Sequence, residues 1–262
     1  DWVTSLYARC FDRIPLLINY HRLVAANNVT GWGEVAPDTD YLLQSAIDKG
    51  YSLRHDAFGM NGYYQDWEKE YAARWNKRPI IMEGGWITGG THRYWIDPSG
   101  EYRQGHPEDV RQGEFNASAE AHVNMMDFRI GDETNSWFTK SFSLVKRFIA
   151  EGGYRLYPDR ISLPVKVNTG QEIVIEHRWN NLGWGYCPTN IPQWNQKYKV
   201  AFALLDSKNS VMRIYVDKQT DLSRWLKGTP TSYKFNLKLE GAPAGNYSWA
   251  VGLVDVTKKN NI

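Results

Sequence analysis

The clearest candidate for a chemical role in this sequence is Glu83. An apolar run at residues 80–82 precedes it and two glycines follow it, so its carboxylate is predicted at the tip of a buried strand, where the backbone can approach a ligand closely. Glycoside hydrolysis needs two carboxyl groups, one to protonate the leaving oxygen and one to attack the sugar or activate water. Glu83 could supply one of them.

Two charged residues on the preceding predicted strand could act with Glu83. Arg54 and Asp56 are two positions apart, so both side chains point to the same face of that strand. There they could bind sugar hydroxyls or hold Glu83 ionised. The alternatives are structural: Arg54 and Asp56 could pair with each other, or Arg54 could tie Glu83 into a salt bridge.

Four further residues are candidates for lining a sugar subsite: His21, Trp86, His122 and Asn124. They lie at or near the ends of predicted strands, and an indole ring after two glycines suits stacking on a sugar. Trp86 could equally anchor its loop in the core, and each histidine could be a hydrogen-bonded structural residue. The sequence contains no metal triad, so we expect no metal and no cofactor.

The composition favours a carbohydrate partner over nucleic acid or membrane. The chain has 31 Lys and Arg against 29 Asp and Glu, a formal charge of +2, and no run of like charges that would follow a phosphate backbone. No apolar stretch approaches the ~18 residues of a membrane span. The 12 Trp and 16 Tyr exceed what core packing usually requires, and flat aromatic rings stack on sugars.

The elements that must position these residues change character near residue 157. Before it, short apolar runs alternate with helical patterns, and four βα units are predicted, with strands at 14–19, 51–56, 78–83 and 122–128. One closing helix is predicted at 137–150, with Phe138, Phe142, Val145 and Ile149 on one face. Because eight units take roughly 250 residues, four units predict half of a (β/α)8 TIM-type barrel. A small doubly wound α/β sheet is the alternative, although no Gly-rich phosphate loop follows any strand.

After residue 157 the pattern is that of an antiparallel sheet. Alternating apolar and polar residues are separated by Asn, Gly, Asp and Pro turns, and they predict strands at 165–167, 173–179, 198–205, 211–216, 233–239 and 247–254. This spacing is typical of a β-sandwich of immunoglobulin-like size. We therefore expect two domains, a half-barrel at 1–157 and an accessory sandwich at 158–262.

Several motifs resemble barrel glycoside hydrolases of the large retaining superfamily. The resemblance is to the C-terminal half of such proteins, and especially to glycoside-hydrolase-like bacterial proteins in which a barrel end is followed by a β-sandwich. It covers nearly the whole chain. The motifs are SLRHDAFG at 52–59, PIIMEGGW at 79–86, GYR at 153–155, WNNLG at 179–183 and GNYSWAVGL at 245–253.

The resemblance implies a role for Glu83 and a reaction. If the four strands are the fifth to eighth of the barrel, Glu83 ends the seventh, where the superfamily places its nucleophile, and hydrolysis retains configuration. The acid/base at the end of the fourth strand is then expected upstream of Asp1, so that the isolated chain is inactive. We expect a secreted, periplasmic or cell-surface protein that acts on a poly- or oligosaccharide. The second hypothesis is a non-catalytic glycan-binding or cell-surface scaffold protein.

Overall fold

The chain forms two compact units. In a computed structural model, which describes residues 2–20, 39–59, 68, 72, 78–86 and 107–258, unit 1 comprises Asp1–Tyr154 with the short segments Gly183–Tyr186 and Ile191–Gln193. Unit 2 comprises Arg155–Leu182, Cys187–Asn190 and Trp194–Ile262. Two short segments that follow residue 182 in the sequence therefore belong to unit 1.

Unit 1 alternates helices and strands. Its described elements are α1 (Trp2–Cys10), β1 (Leu16–Asn19), α2 (Thr39–Asp48), β2 (Tyr51–His55), β3 (Ile80–Glu83), α3 (Pro107–Glu120), β4 (Met125–Asp127), α4 (Asp132–Lys140) and α5 (Phe142–Glu151). The four strands form one parallel sheet in the order β1-β2-β3-β4. The strands predicted from the apolar runs are therefore present, each shorter than predicted.

The two faces of this sheet differ in burial. On one face Leu53, His55, Ile80, Met82 and Met126 are all almost completely buried. The opposite face is more open, with Leu17 37% and Met125 48% exposed. Because side chains alternate along a strand, the pairing of Arg54 with Ile81 and of Glu83 with Asp127 puts these residues on the more open face.

The sheet is open at both edges among the described residues. Strand β1 pairs only with β2, and β4 pairs only with β3. The strand order follows the chain without the reversal that defines a doubly wound sheet. Consecutive order is also what a barrel requires, since each barrel strand lies beside the next one in sequence. The four strands do not close into a barrel among the described residues, so the half-barrel stays a prediction.

The prediction of one closing helix was wrong. Ser141, with a φ of −132°, separates α4 from α5, and its N–H bonds to the Trp137 carbonyl to end α4. Of the residues predicted to share one face, Val145 is buried, whereas Phe138, Phe142 and Ile149 are 48%, 45% and 64% exposed. Trp137 is buried instead, because its ring packs 4.7 Å from that of Phe128.

Unit 2 consists of two antiparallel sheets. Its strands are β5 (Leu156–Ser162), β6 (Glu172–Asn181), β7 (Tyr198–Leu205), β8 (Val211–Asp217), β9 (Thr231–Lys238) and β10 (Ser248–Asp255), with the sheet orders β5-β6-β9 and β10-β7-β8. One cluster of buried side chains takes residues from both sheets, among them Ile175, Phe202 and Leu237. The strand predicted at 165–167 was wrong, since that segment is irregular and the first strand is β5, which carries Pro158 at a bulge.

Candidate functional site

Glu83 lies at the carboxyl end of β3, and both of its carboxylate oxygens pair with arginines. The Arg54 Nη2 atom contacts Oε2, and the Arg129 Nη1 atom contacts Oε1. The Glu83 side chain is only 9% exposed. A buried carboxylate needs compensating charge and hydrogen bonds. The two guanidinium groups supply them and offset the free-energy cost of burying Glu83.

Arg54 connects Glu83 to a second carboxylate. Its Nη1 atom pairs with Asp56 Oδ1, while its Nη2 atom pairs with Glu83. The Arg54 and Asp56 side chains are 31% and 19% exposed, so this end of the group is accessible to a ligand. The structure thus brings together three of the residues singled out by sequence, and both pairings of Arg54 weighed there are present at once.

Arg129 is a member of this group that sequence reasoning missed. Its guanidinium carbon lies 4.5 Å from the centroid of the Trp86 ring, which is within the range of a cation–π contact. Its backbone, with a φ of 67°, is held by an N–H bond of 2.9 Å to Asp127 Oδ1. The available signal was its position directly after the predicted strand at 122–128.

Asp127 gives the open face another carboxylate. It is the register partner of Glu83 on the neighbouring strand, and the backbones of adjacent strands lie about 4.8 Å apart. Asp127 is exposed. Glu83 and Asp127 therefore line the carboxyl ends of β3 and β4, and Arg54 and Arg129 both pair with Glu83.

The backbone N–H groups of the two glycines after Glu83 donate to a backbone carbonyl and to the side chain of a buried glutamate. Gly84 N–H donates to the Asp127 carbonyl at 2.9 Å, and Gly85 N–H donates to Glu114 Oε1 at 2.5 Å. A Cβ at Gly84 would lie 3.4 Å from that carbonyl and 3.6 Å from Glu114 Oε2. Both distances are ordinary van der Waals contacts, so the space at this position would also accept an alanine.

Glu114 itself is in an unusual environment. It is fully buried, and its Oε2 atom has no hydrogen-bond partner among the described residues. Burial raises the pKa of Glu114 to about 8, although the Gly85 N–H and the charge of Arg111 oppose the shift and Glu133 adds to it. Glu114 is therefore protonated in most molecules at neutral pH.

Arg111 completes a buried polar layer between α3 and α4. It is fully buried, donates to Ser136 Oγ and has its Nη2 atom 3.7 Å from Glu133 Oε2. Its guanidinium also lies 5.3 Å from the Trp137 ring centroid. Arg111 shares α3 with Glu114, which accepts the Gly85 N–H.

The remaining predicted site residues do not join this group. His122 and Asn124 precede β4, at the amino end of the sheet, where Asn124 N–H bonds to the Ile80 carbonyl. His122 Nδ1 lies 2.7 Å from the Trp184 carbonyl oxygen, and Asn124 Nδ2 donates to the Tyr186 carbonyl at 2.7 Å. Both hold the Gly183–Tyr186 segment of unit 1. His21 lies outside the described residues.

No group of three or more His, Cys, Asp or Glu side chains that could hold a metal ion occurs in the described part of the chain. No described helix is long and apolar enough to cross a membrane.

Comparison with known proteins gives only weak likenesses. No family model matches the sequence, and no curated protein matches it. Among solved structures, the β-glucosidase of Listeria innocua in complex with gluconolactone aligns at 9% identity with a TM-score of 0.23, over 89% of this chain and 38% of the enzyme. The same enzyme without ligand and with isofagomine aligns at 9% identity, over 87% of this chain and 34% of the enzyme, with TM-scores of 0.16 and 0.17. This chain thus spans less than two-fifths of those enzyme chains, and TM-scores this low do not establish a shared fold.

Proposed function

We propose that this chain is part of a retaining glycoside hydrolase that acts on an oligo- or polysaccharide. In this proposal, unit 1 is half of an eight-stranded barrel that four further strands complete, and unit 2 is an accessory sandwich. Glu83 is the nucleophile, and the acid/base residue is carried by the missing strands.

The observation that carries the proposal is the position of Glu83. It ends a parallel strand on the open face of the sheet, within one group that also contains Arg54, Asp56, Asp127 and Arg129. In barrel enzymes the reacting groups sit at this end of the strands. A carboxylate surrounded by hydrogen-bonding side chains at such a position fits sugar chemistry, in which the ligand presents many hydroxyls.

In the proposed mechanism the residues of this group have separate tasks. A Glu83 oxygen attacks the anomeric carbon while the bond to the leaving oxygen breaks and that oxygen takes a proton from the acid. The resulting glycosyl ester is then hydrolysed by water, with net retention. For the attack, one guanidinium must release its oxygen. Arg54 suits this exchange, because Asp56 keeps it partnered while it turns toward a sugar hydroxyl.

The test uses the full-length protein and a panel of soluble glucans, xylans and chitin oligosaccharides. We expect release of reducing ends from at least one of them, and a fall in kcat of at least about a thousandfold for Glu83→Gln, as for loss of a catalytic nucleophile. Glu120→Gln, an exposed glutamate on α3, is the matched control. Undiminished hydrolysis by the Glu83→Gln variant would remove the assignment.

A second candidate function is supported by the engagement of Glu83. Both of its oxygens are occupied by arginines, which is the arrangement of a structural ion pair at a binding surface. A non-catalytic glycan-binding or scaffold protein would bind members of the same panel without turnover, and Glu83→Gln would weaken binding because Arg54 and Arg129 each lose one carboxylate contact. Binding without any release of reducing ends would favour this function over hydrolysis.

A further inference from the structure

We propose that unit 2 carries a separate binding site for an uncharged carbohydrate chain, at the end of the two sheets where segments 164–171 and 239–249 meet. A cavity of about 610 Å³ opens there, within the range of roughly 300–1,000 Å³ that ligand sites occupy. All of its lining residues belong to unit 2. The proposal stands on this geometry alone and is independent of the role of Glu83.

The floor of the cavity is apolar and contains an indole ring. Trp249 on β10 pairs in register with Leu204 on β7, and both residues line the cavity together with Leu239. The Trp249 ring is half-buried and lies 6.0 Å from that of Tyr215. A partly exposed indole fixed from behind by packing offers a flat surface for the C–H face of a pyranose ring.

The walls carry amide groups and are held in place by the backbone. Gly170 N–H donates to the Leu239 carbonyl at 2.6 Å, and Leu239 N–H donates to the Gln171 carbonyl at 3.2 Å. Gln171 Oε1 accepts from Asn168 N–H at 2.9 Å. These bonds tie the two segments together, so the cavity exists before a ligand binds and little ordering cost remains.

Hydrogen-bonding groups at the cavity remain available to a ligand. In the described structure, the Gln171 amide nitrogen, the Asn246 side chain and the Trp249 indole N–H have no protein partner. Amide groups donate and accept at once, which is what a sugar hydroxyl requires. An apolar floor combined with polar side chains suits a ligand that presents both apolar ring faces and hydroxyl groups.

The charge of the lining selects the class of ligand. Lys166 is the one lining residue that is charged at neutral pH. Without a lining carboxylate the cavity has nothing to hold a cation, and a single exposed lysine is too little charge for a polyanion. A neutral, hydroxyl-rich chain matches the indole, the amides and the volume together.

The test measures binding of neutral oligosaccharides to the full chain. The probes are cello-, laminari-, xylo- and chito-oligosaccharides, titrated by calorimetry and by ligand-observed NMR. We expect binding of at least one series, a loss of affinity of roughly tenfold or more for Trp249→Ala, and a similar loss for Ala244→Arg. Ala244 is exposed and lines the cavity, so the arginine blocks the site without disturbing the core.

Controls separate this site from the one at Glu83. Trp2→Ala removes an indole that is 74% exposed in unit 1 and should bind as the unsubstituted chain does. Glu83→Gln should also keep this binding, whatever its effect on hydrolysis. The proposal is overturned if no probe binds, or if Ala244→Arg, with an unchanged circular dichroism spectrum, binds as tightly as the unsubstituted chain.

Discussion

Two glutamates near the same pair of glycines have opposite environments. Glu83 faces two guanidinium groups, whereas Glu114 has one backbone N–H and an Oε2 atom without a hydrogen-bond partner in the described structure. Glu83 thus has two ion-pair partners, whereas burial raises the pKa of Glu114 to about 8 and favours its neutral acid.

The raised pKa of Glu114 predicts a pH-dependent stability. Between an unfolded pKa of about 4.3 and a folded pKa of about 8, the folded protein binds more protons, so the free energy of unfolding falls as pH rises. Glu114→Gln keeps the acceptor for Gly85 and cannot ionise. From pH 5.5 to 8.5 the free energy of unfolding of the unsubstituted chain should fall by an amount on the order of several kcal/mol. We expect the melting temperature of the Glu114→Gln variant to change less over this range than that of the unsubstituted chain.

The measurement is thermal unfolding across this pH range, followed by circular dichroism. Glu120→Gln, on the same helix but exposed, is the control and should follow the unsubstituted chain. Parallel pH profiles for the unsubstituted chain and the Glu114→Gln variant would contradict the prediction.

Arg129 is expected to matter for activity through two contacts. Arg129→Ala removes a partner of Glu83 and the cation that lies over Trp86. In the full-length protein we expect kcat/KM to fall by roughly ten- to a hundredfold, because a buried charge loses a hydrogen-bonded partner, and the fluorescence of Trp86 to change. Arg224→Ala, whose side chain is 79% exposed, should leave kcat/KM unaltered. Equal kinetics for the two variants would sink this role of Arg129.

The part of the site predictable from sequence was the part carried by strands. Arg54, Asp56 and Glu83 were selected because strand ends and a spacing of two fix where side chains point. Arg129 follows its strand in an irregular turn with a positive φ, which no periodicity encodes. Glu114 lies on a helix, and its partner Gly85 is 29 residues away, so only the tertiary fold brings them together.

At the scale of elements, short apolar runs located the strands better than periodicity located the last helix. Residues 137–150 fit one helical stripe, yet Ser141 divides the segment and the stripe is mostly exposed. The competing effect is tertiary: the Trp137 ring fills space between Phe128 and Arg111, and the larger buried area outweighs the regularity of the stripe.

The Gly183–Tyr186 segment is predicted to depend on a glycine. A Cβ at Gly183 would lie 2.1 Å from the Gly153 carbonyl oxygen, and this backbone atom cannot move freely because Gly185 N–H also bonds to it at 2.8 Å. Gly183→Ala should therefore lower the free energy of unfolding by about 1–3 kcal/mol and displace Trp184, whose indole N–H bonds to the Val123 carbonyl.

Gly252→Ala on β10 is the matched control, because a Cβ there meets nothing within 4 Å. Chemical denaturation with tryptophan fluorescence compares the two variants. Equal stabilities for them would show that the close approach at Gly183 carries no energetic weight.

At the scale of the molecule, the buried cluster around Trp225 consists of residues of unit 2 alone, and a substitution there should act on that unit first. Trp225 is fully buried in unit 2, stacks on Trp179 at 4.8 Å and donates its indole N–H to Tyr233 Oη at 2.8 Å. Trp225→Ala should cost about 3–5 kcal/mol. Calorimetry should then show one transition moved to lower temperature and the other nearly fixed. A uniform shift of the whole profile would mean that the units unfold as one.

Within the described ranges, the outer edges of β1 and β4 have no pairing strand, and this too concerns the whole molecule. Parallel sheets are normally closed or covered, because unpaired strand edges invite association with other chains. Trp2, Ile14 and Ile130, which are 54–74% exposed, add apolar surface to unit 1. The proposed barrel accounts for both features, since four added strands would pair with both edges.

The two thiols differ in exposure and should therefore react with a thiol reagent at different rates. Cys10 is exposed at the end of α1, while Cys187 is buried in the core cluster of unit 2. A thiol reagent modifies Cys10 at once and reaches Cys187 only when the core of unit 2 opens, so the delay before Cys187 reacts reports the rate of that opening. Labelling kinetics would thus follow local unfolding of unit 2 without any engineered probe.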